Sequence, residues 1–264
     1  MIKMLKKLIF LPVLMLVLLN SANSQDTPEM MFEKGVSLVN SGQYPEAILV
    51  FDQYIDTIQD NSQAYYNRGT ANFNLRQYDA ALEDMNSAIK LREDYADAYF
   101  LRGLIYKHKK NRNSALVDFN KVLRYDPENA EAYNNRGMLY AEVKQYPNAL
   151  LDFGKAIKFD PQYADAYYNR GYTYIQADDY TNAIASFNTA ISLDSTFTLS
   201  YVNRGLSYYQ IQSYEKCIED LEKAIQMESS YKAQLDKFIK SSKDILAEKE
   251  KEKEKKKKKK EDDD

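Results

Sequence analysis

The stretch Ala132-Tyr-Asn-Asn-Arg-Gly137 decides the fold, because the chain repeats it. Variants of it stand at Ala64-Tyr-Tyr-Asn-Arg-Gly69, Ala98-Tyr-Phe-Leu-Arg-Gly103, Ala166-Tyr-Tyr-Asn-Arg-Gly171 and Ser200-Tyr-Val-Asn-Arg-Gly205. Together with Gly35, these glycines are spaced by 34 residues without an insertion, so six of the eight glycines are one position of a repeat. The repeats run over residues 28–61, 62–95, 96–129, 130–163, 164–197 and 198–231. A unit this short cannot bury its own apolar face, so its copies must stack on one another.

Each repeat carries two apolar stripes at helical spacing, for example Tyr133, Gly137 and Tyr140, then Ala149, Phe153, Ala156 and Ile157. Position 20 is small throughout: Ala47, Ala81, Ala115, Ala149, Ala183 and Cys217. Position 24 is large: Phe51, Met85, Phe119, Phe153, Phe187 and Leu221. Small residues let two helix axes approach, and large side chains fill the space beside them. Of the 23 tyrosines, 14 fall at positions 4, 11 and 17, so they belong to this packing pattern and are no general aromatic excess.

The period, the glycine, the small residue at position 20 and the aromatic at position 24 resemble the tetratricopeptide-repeat (TPR) family. The resemblance covers residues 28–231. It implies an all-α fold, a right-handed superhelical solenoid of antiparallel helix pairs, with a concave face lined by the first helix of each pair. After it, Leu235, Phe238, Ile239, Ile245 and Leu246 keep helical spacing, so residues 232–248 are expected to form a C-terminal capping helix. Residues 249–264 hold alternating Lys and Glu, six lysines at 255–260 and a final acidic cluster, and are expected to be a charged tail, disordered or a fraying helix extension.

One column departs from the family. Position 7, usually Leu, holds Arg68, Arg102, Arg136, Arg170 and Arg204. A packed guanidinium needs a partner. Position 23, on the second helix, offers Asp84, Asp118, Asp152 and Asp220, and the two columns are expected to pair within a repeat or across to its neighbour. Repeat five has Ser186 there, so Arg170 should differ. With Gly69, Gly103, Gly137, Gly171 and Gly205, these charges read as structural.

On the concave face the resemblance implies, position 6 holds Asn67, Asn135, Asn169 and Asn203. Side-chain amides on successive helices can bond an extended peptide backbone with little regard for its sequence, and the column resembles the asparagine ladder of the O-GlcNAc transferase superhelix. Tyr66, Phe100, Tyr168 and Tyr172 lie beside it as aromatic contact surfaces. Position 2 is Glu29, Gln63, Asp97, Glu131, Asp165 and Leu199, without a basic residue to clamp an acidic C-terminus.

Composition removes other classes. One Cys and one His among 264 residues cannot make a disulfide or a Cys/His metal cluster. There is no phosphate loop, nucleophile elbow or paired-cysteine spacing, so no catalytic residue and no metal, cofactor or enzyme activity is assigned. The formal charge of −3 divides into +3 over residues 1–24, −8 over 25–248 and +2 over 249–264. An acidic repeat body makes nucleic acid a poor partner.

The +3 belongs to Lys3, Lys6 and Lys7, which precede an apolar run at 8–19 and the polar residues 20–24. This is the order of a secretory signal peptide, with cleavage expected before Gln25 and the mature chain in the periplasm or secreted. Membrane contact is expected only through an uncleaved signal segment or the Lys-rich tail. The sequence therefore points to an exported, non-enzymatic scaffold that binds a protein or an extended peptide in the repeat groove. A homo-oligomerising component of an envelope assembly is the alternative, and an enzyme accessory or glycan-processing protein is a further one.

Overall fold

The computed structural model describes residues 27–263, so the expected signal peptide, 1–24, lies outside the described residues. The described residues form helices and turns, with no strand. Repeats one and two are α1 (Pro28–Asn40) with α2 (Tyr44–Thr57) and α3 (Ser62–Asn74) with α4 (Tyr78–Leu91). Repeats three and four are α5 (Ala96–His108) with α6 (Arg112–Tyr125) and α7 (Ala130–Glu142) with α8 (Tyr146–Phe159). Repeats five and six are α9 (Ala164–Gln176) with α10 (Tyr180–Leu193) and α11 (Thr198–Gln210) with α12 (Tyr214–Met227). A short 3-10 turn, Ser229–Tyr231, leads into α13 (Lys232–Asp263). The chain divides into two compact units, one ending at Ile105 and one beginning at Tyr106.

Local chemistry sets these boundaries. Every first helix starts at position 1 and every second helix at position 17. The Thr27, Asn61 and Asn129 side chains accept hydrogen bonds from first-turn amides of α1, α3 and α7, and Asn111 and Asp179 do the same for α6 and α10. The first helices end at position 13, and position 15, two residues on, has positive φ in every repeat: Gly42, Arg76, Lys110, Lys144, Asp178 and Gln212. There the amide of position 15 donates to the carbonyl of position 12 and that of position 16 to position 11, as Lys144 does to Ala141 and Gln145 to Tyr140. Only the first repeat supplies the residue this backbone favours. Lys144→Gly should therefore raise stability by about 0.5–1 kcal/mol, and Gly42→Ala should lower it by about as much, as read from urea unfolding.

The position-24 side chains are the centre of each layer. In the first unit Phe51 and Met85 are fully buried among Ala47, Ala64, Ala81 and Ala88. In the second, Phe119, Phe153, Phe187 and Leu221 are equally enclosed. Ser200 occupies the fully buried position that is Ala64, Ala98, Ala132 and Ala166 elsewhere, and its hydroxyl has no hydrogen-bond partner. Ser200→Ala should stabilise by about 1 kcal/mol, because a desolvated hydroxyl is removed without leaving a cavity; an unchanged or lower urea midpoint would contradict this.

In repeats two, four and six the arginine at position 7 is satisfied by two second helices. Arg136 Nε and Nη2 donate to Asp152 of its own repeat, both at 2.7 Å, while Nη1 donates to Asn120 of the preceding repeat at 2.6 Å. Arg204 repeats this with Asp220 and Asn188. Arg68 does so with Asp84 and Asp52, and Arg102 reaches Asn86 at 2.7 Å. Arg102 and Asp118 fall in different units. The aspartates at position 23 are nearly inaccessible, and the guanidinium also lies over tyrosine rings, as Arg136 does over Tyr133 and Tyr140. Burial raises the Asp84 and Asp220 carboxyls above the usual carboxylate range against the pull of their arginines. In Arg68, Arg136 and Arg204 burial opposes the charge, but the hydrogen bond and charge of the aspartate prevail and raise the guanidinium. Sequence position pointed to position 23; the Asn or Asp at position 25 was the unread half of the arrangement.

At the C-terminus, Leu235, Phe238 and Ile239 of α13 pack against Val202, Cys217, Leu221 and Ala224, closing the last repeat. Buried Ser242 donates to the Cys217 sulfur at 3.6 Å. The helix runs on past 248 through Asp263, the helix extension of the two forms expected for this segment. Lys and Glu are strong helix formers, and opposite charges meet at i,i+3. Lys243 pairs with Glu222 at 2.8 Å, and Lys249 lies over the Tyr214 ring, so α12 carries the helix beyond its apolar part. No helix among the described residues is long and apolar enough to cross a membrane.

Candidate functional site

Within the second unit the first helices approach one another, α7 with α9 and α9 with α11, while the second helices make no comparable contact. The first helices therefore form the inner side of this unit, and positions 6, 9 and 13 face the groove between them.

The asparagine column is placed there but is partly committed. Asn169 Nδ2 donates to Asn134 Oδ1 at 3.0 Å, and Asn203 Nδ2 donates to the Tyr168 hydroxyl at 3.1 Å. Asn67 Nδ2 donates to the Gln63 carbonyl within its own helix, at 2.7 Å. Asn135 is buried, donates to the Glu131 carbonyl and accepts from Lys107 Nζ at 2.8 Å. The expectation of free donors and acceptors at all four positions is thus corrected. One amide proton of each goes to the protein, and Asn67, Asn169 and Asn203 keep the second N–H together with the carbonyl oxygen. Such a surface can accept from the N–H groups of a peptide backbone and donate to its carbonyls.

Lys107 is the reason Asn135 is unavailable. In the sequence it opens a basic turn run; in the structure it extends along the groove to Asn135 and Met138. Burial holds its ammonium below the usual lysine range, while Glu142 acts in the opposite direction. A first-helix neighbour, Asn134, donates to Tyr163, whose phenol is pushed up to about 12 by burial and then by Glu131 and Asp165.

The aromatic candidates divide similarly. Tyr168 is packed among Tyr172, Phe187 and Phe197, with ring centroids at 4.8 Å from Phe197, so it supports the wall. Tyr172 is 45% exposed and faces the groove. In the first unit Tyr66 packs on Tyr95, and burial, then Asp97, raises its phenol. Phe100 is half-buried on α5.

Two clefts occur one repeat apart. The first, of ≈ 280 Å³, has Met138, Ala141 and Phe153 as its apolar part and Glu142, Lys144, Asn169, Tyr172 and Gln176 around it. The second, of ≈ 200 Å³, is lined by Ile175, Tyr180, Asn203, Leu206, Gln210 and Phe238. Both combine the asparagine of position 6 with a glutamine of position 13, so they are the same site built twice. Gln176 and Gln210 were not singled out from sequence, although reading the position-13 column would have shown them. Phe238 could not be found that way, because it comes from α13, outside the repeat frame. Among the described residues no group of His, Cys, Asp and Glu is arranged to hold a metal ion.

Comparison with known proteins gives a consistent likeness. A model for TPR repeats matches residues 76–110 and 138–178, and models for the tetratricopeptide repeat match 96–129, 119–150, 164–197 and 199–231, together more than half of the chain. No curated protein matches in sequence. Among solved structures, the chain is similar to YrrB, a TPR protein with an unusual peptide-binding site, at 22% identity and TM-score 0.61, covering 73% of this chain and 97% of that one. It is similar to MamA from Desulfovibrio magneticus RS-1 at 21% identity and TM-score 0.60, covering 66% and 99%. The C-terminal part of a TPR protein from Cytophaga hutchinsonii matches at 19% identity and TM-score 0.67, covering 82% and 86%. At these identities the likeness is one of fold.

Proposed function

We propose, from the premise that the chain belongs to the tetratricopeptide-repeat family, that it is a non-enzymatic scaffold whose inner face holds an extended segment of a partner protein. The observation that carries this reading is the pair of equivalent clefts, each offering an apolar hollow, an asparagine carbonyl and a glutamine amide one repeat apart. An extended peptide would seat one side chain in each, with its backbone N–H groups donating to Asn169 and Asn203. Each such bond contributes about 0.5–1.5 kcal/mol net, so affinity rests mainly on the side chains in the clefts. Peptide binding by the similar protein YrrB supports the reading. The N-terminal pattern of residues 1–24 supports export and work in the periplasm or outside the cell.

Gln176 and Gln210 are exposed, so Gln176→Trp with Gln210→Trp fills both clefts without touching the packing. Capture of partners from an envelope extract should be lost in this double variant; capture equal to the wild type would refute the groove. The double variant is a cleaner probe than alanine at Asn169 and Asn203, which would break bonds between repeats. Sequencing the N-terminus of the exported chain should return Gln25, and an intact Met1 would refute cleavage.

A further inference from the structure

Repeat five breaks the arginine arrangement twice. In repeats four and six the guanidinium takes a position-23 carboxylate on one edge and a position-25 amide oxygen on Nη1. For Arg170 the first partner is Ser186, whose hydroxyl accepts from Nε at 3.1 Å, and the residue at the second place is Gly154. Neither Nη1 nor Nη2 has a hydrogen bond to the described residues, and neither is sealed from solvent. A side chain at Gly154 would meet nothing within 4 Å, so the place that Asn120 and Asn188 fill elsewhere is open. The charge is kept and its carboxylate is missing.

We propose that Arg170 is a seat for a carboxylate from outside the chain, supplied by an Asp or Glu side chain of a partner protein. Buried Ser186 holds Nε, so an incoming carboxylate meets the free end of the fork, a two-point contact through Nη1 and Nη2 beside the open place at Gly154. The surroundings favour a protein over a free ion. Leu151, 61% exposed, stands one helical turn before Gly154 on α8, and exposed Ala185 adjoins Ser186 on α10. An acidic side chain flanked by an apolar one fits both features, whereas a small anion would leave Leu151 unused. The seat is distinct from the groove, because the Arg170 side chain runs to α10.

The test follows the Arg170 Nε–H resonance in the full chain, identified by its loss in Arg170→Lys, during titration with a capped Leu-Asp-Leu tripeptide. Leu-Asp-Leu should shift the resonance and bind about tenfold more tightly than Leu-Asn-Leu, since the two differ in charge and little in shape. Ser186→Asp, which rebuilds the internal pair and leaves the fold intact, should abolish the response. A response in Ser186→Asp equal to the wild type, equal binding of the two peptides, or no shift at all would overturn the proposal. Acetate matching Leu-Asp-Leu at equal concentration would mark a small-anion site and overturn its assignment to a protein partner.

Discussion

Asp152→Ala is expected to lower the stability of the protein by about 3 kcal/mol, because it strands a half-buried guanidinium whose main partner has gone. The same change at the equivalent position of repeat five, Ser186→Ala, should lower it by less, about 1–1.5 kcal/mol, since the hydroxyl that accepts from Arg170 and donates to the Asn182 carbonyl carries no countercharge. The contrast separates two accounts of position 7. If each arginine merely lays its methylene stem on apolar surface, the two alanine variants should behave alike. The pairs need not be strong net contributors to fall hard when broken. Burial raises Asp84 and Asp220 even with their arginines present, so desolvation absorbs much of the attraction. Replacing both members of a pair, Arg136→Met with Asp152→Leu, should therefore come out far closer to the wild type than Asp152→Ala alone. Urea unfolding of the three variants measures this.

Gly171→Val should be the other severe substitution, lowering stability by about 3 kcal/mol or more. A Cβ at Gly171 would stand 2.8 Å from Phe187 Cε1, and Phe187 is fully buried with no room to withdraw. The helix there depends on close approach and not on unusual backbone. Gly154 is the control. It too is within a helix, but a side chain there meets nothing within 4 Å, so Gly154→Ala should stabilise by about 1 kcal/mol through helix propensity. Gly69 is intermediate, because the group it faces includes the flexible end of Met85. Opposite signs for Gly171→Val and Gly154→Ala would follow from this packing; two losses of equal size would not.

What could be read from sequence was whatever repeats within one period. The helix starts at positions 1 and 17, the buried column at 24 and the arginine–aspartate columns all show as vertical alignments of the six repeats. Contacts that join neighbouring repeats were harder to see. Asn120 and Asn188 serve arginines of the following repeat, and one amide proton each of Asn169 and Asn203 goes to the preceding one, so a column read alone does not reveal which copy it touches. Lys107 was hidden because it looked like part of a solvated turn, while its length lets the ammonium lie along the groove. Between a disordered tail and a helix extension the charge pattern did not choose; the support of α12 through Tyr214 and Glu222 comes from another repeat element and shows only in the structure. The clefts themselves needed coordinates, since one is completed by Phe238 from outside the repeats.

The central claim is that the inner face of repeats four to six holds an extended partner segment. The most direct measurement is site-specific photo-crosslinking in the native cell, with the crosslinker placed at Gln176, at Gln210 and, as an outer-face reference, at exposed Val117 on α6. The account predicts the same partner adduct from both glutamine positions and none of it from Val117. An adduct from Val117 alone, or no adduct from either glutamine, would contradict it.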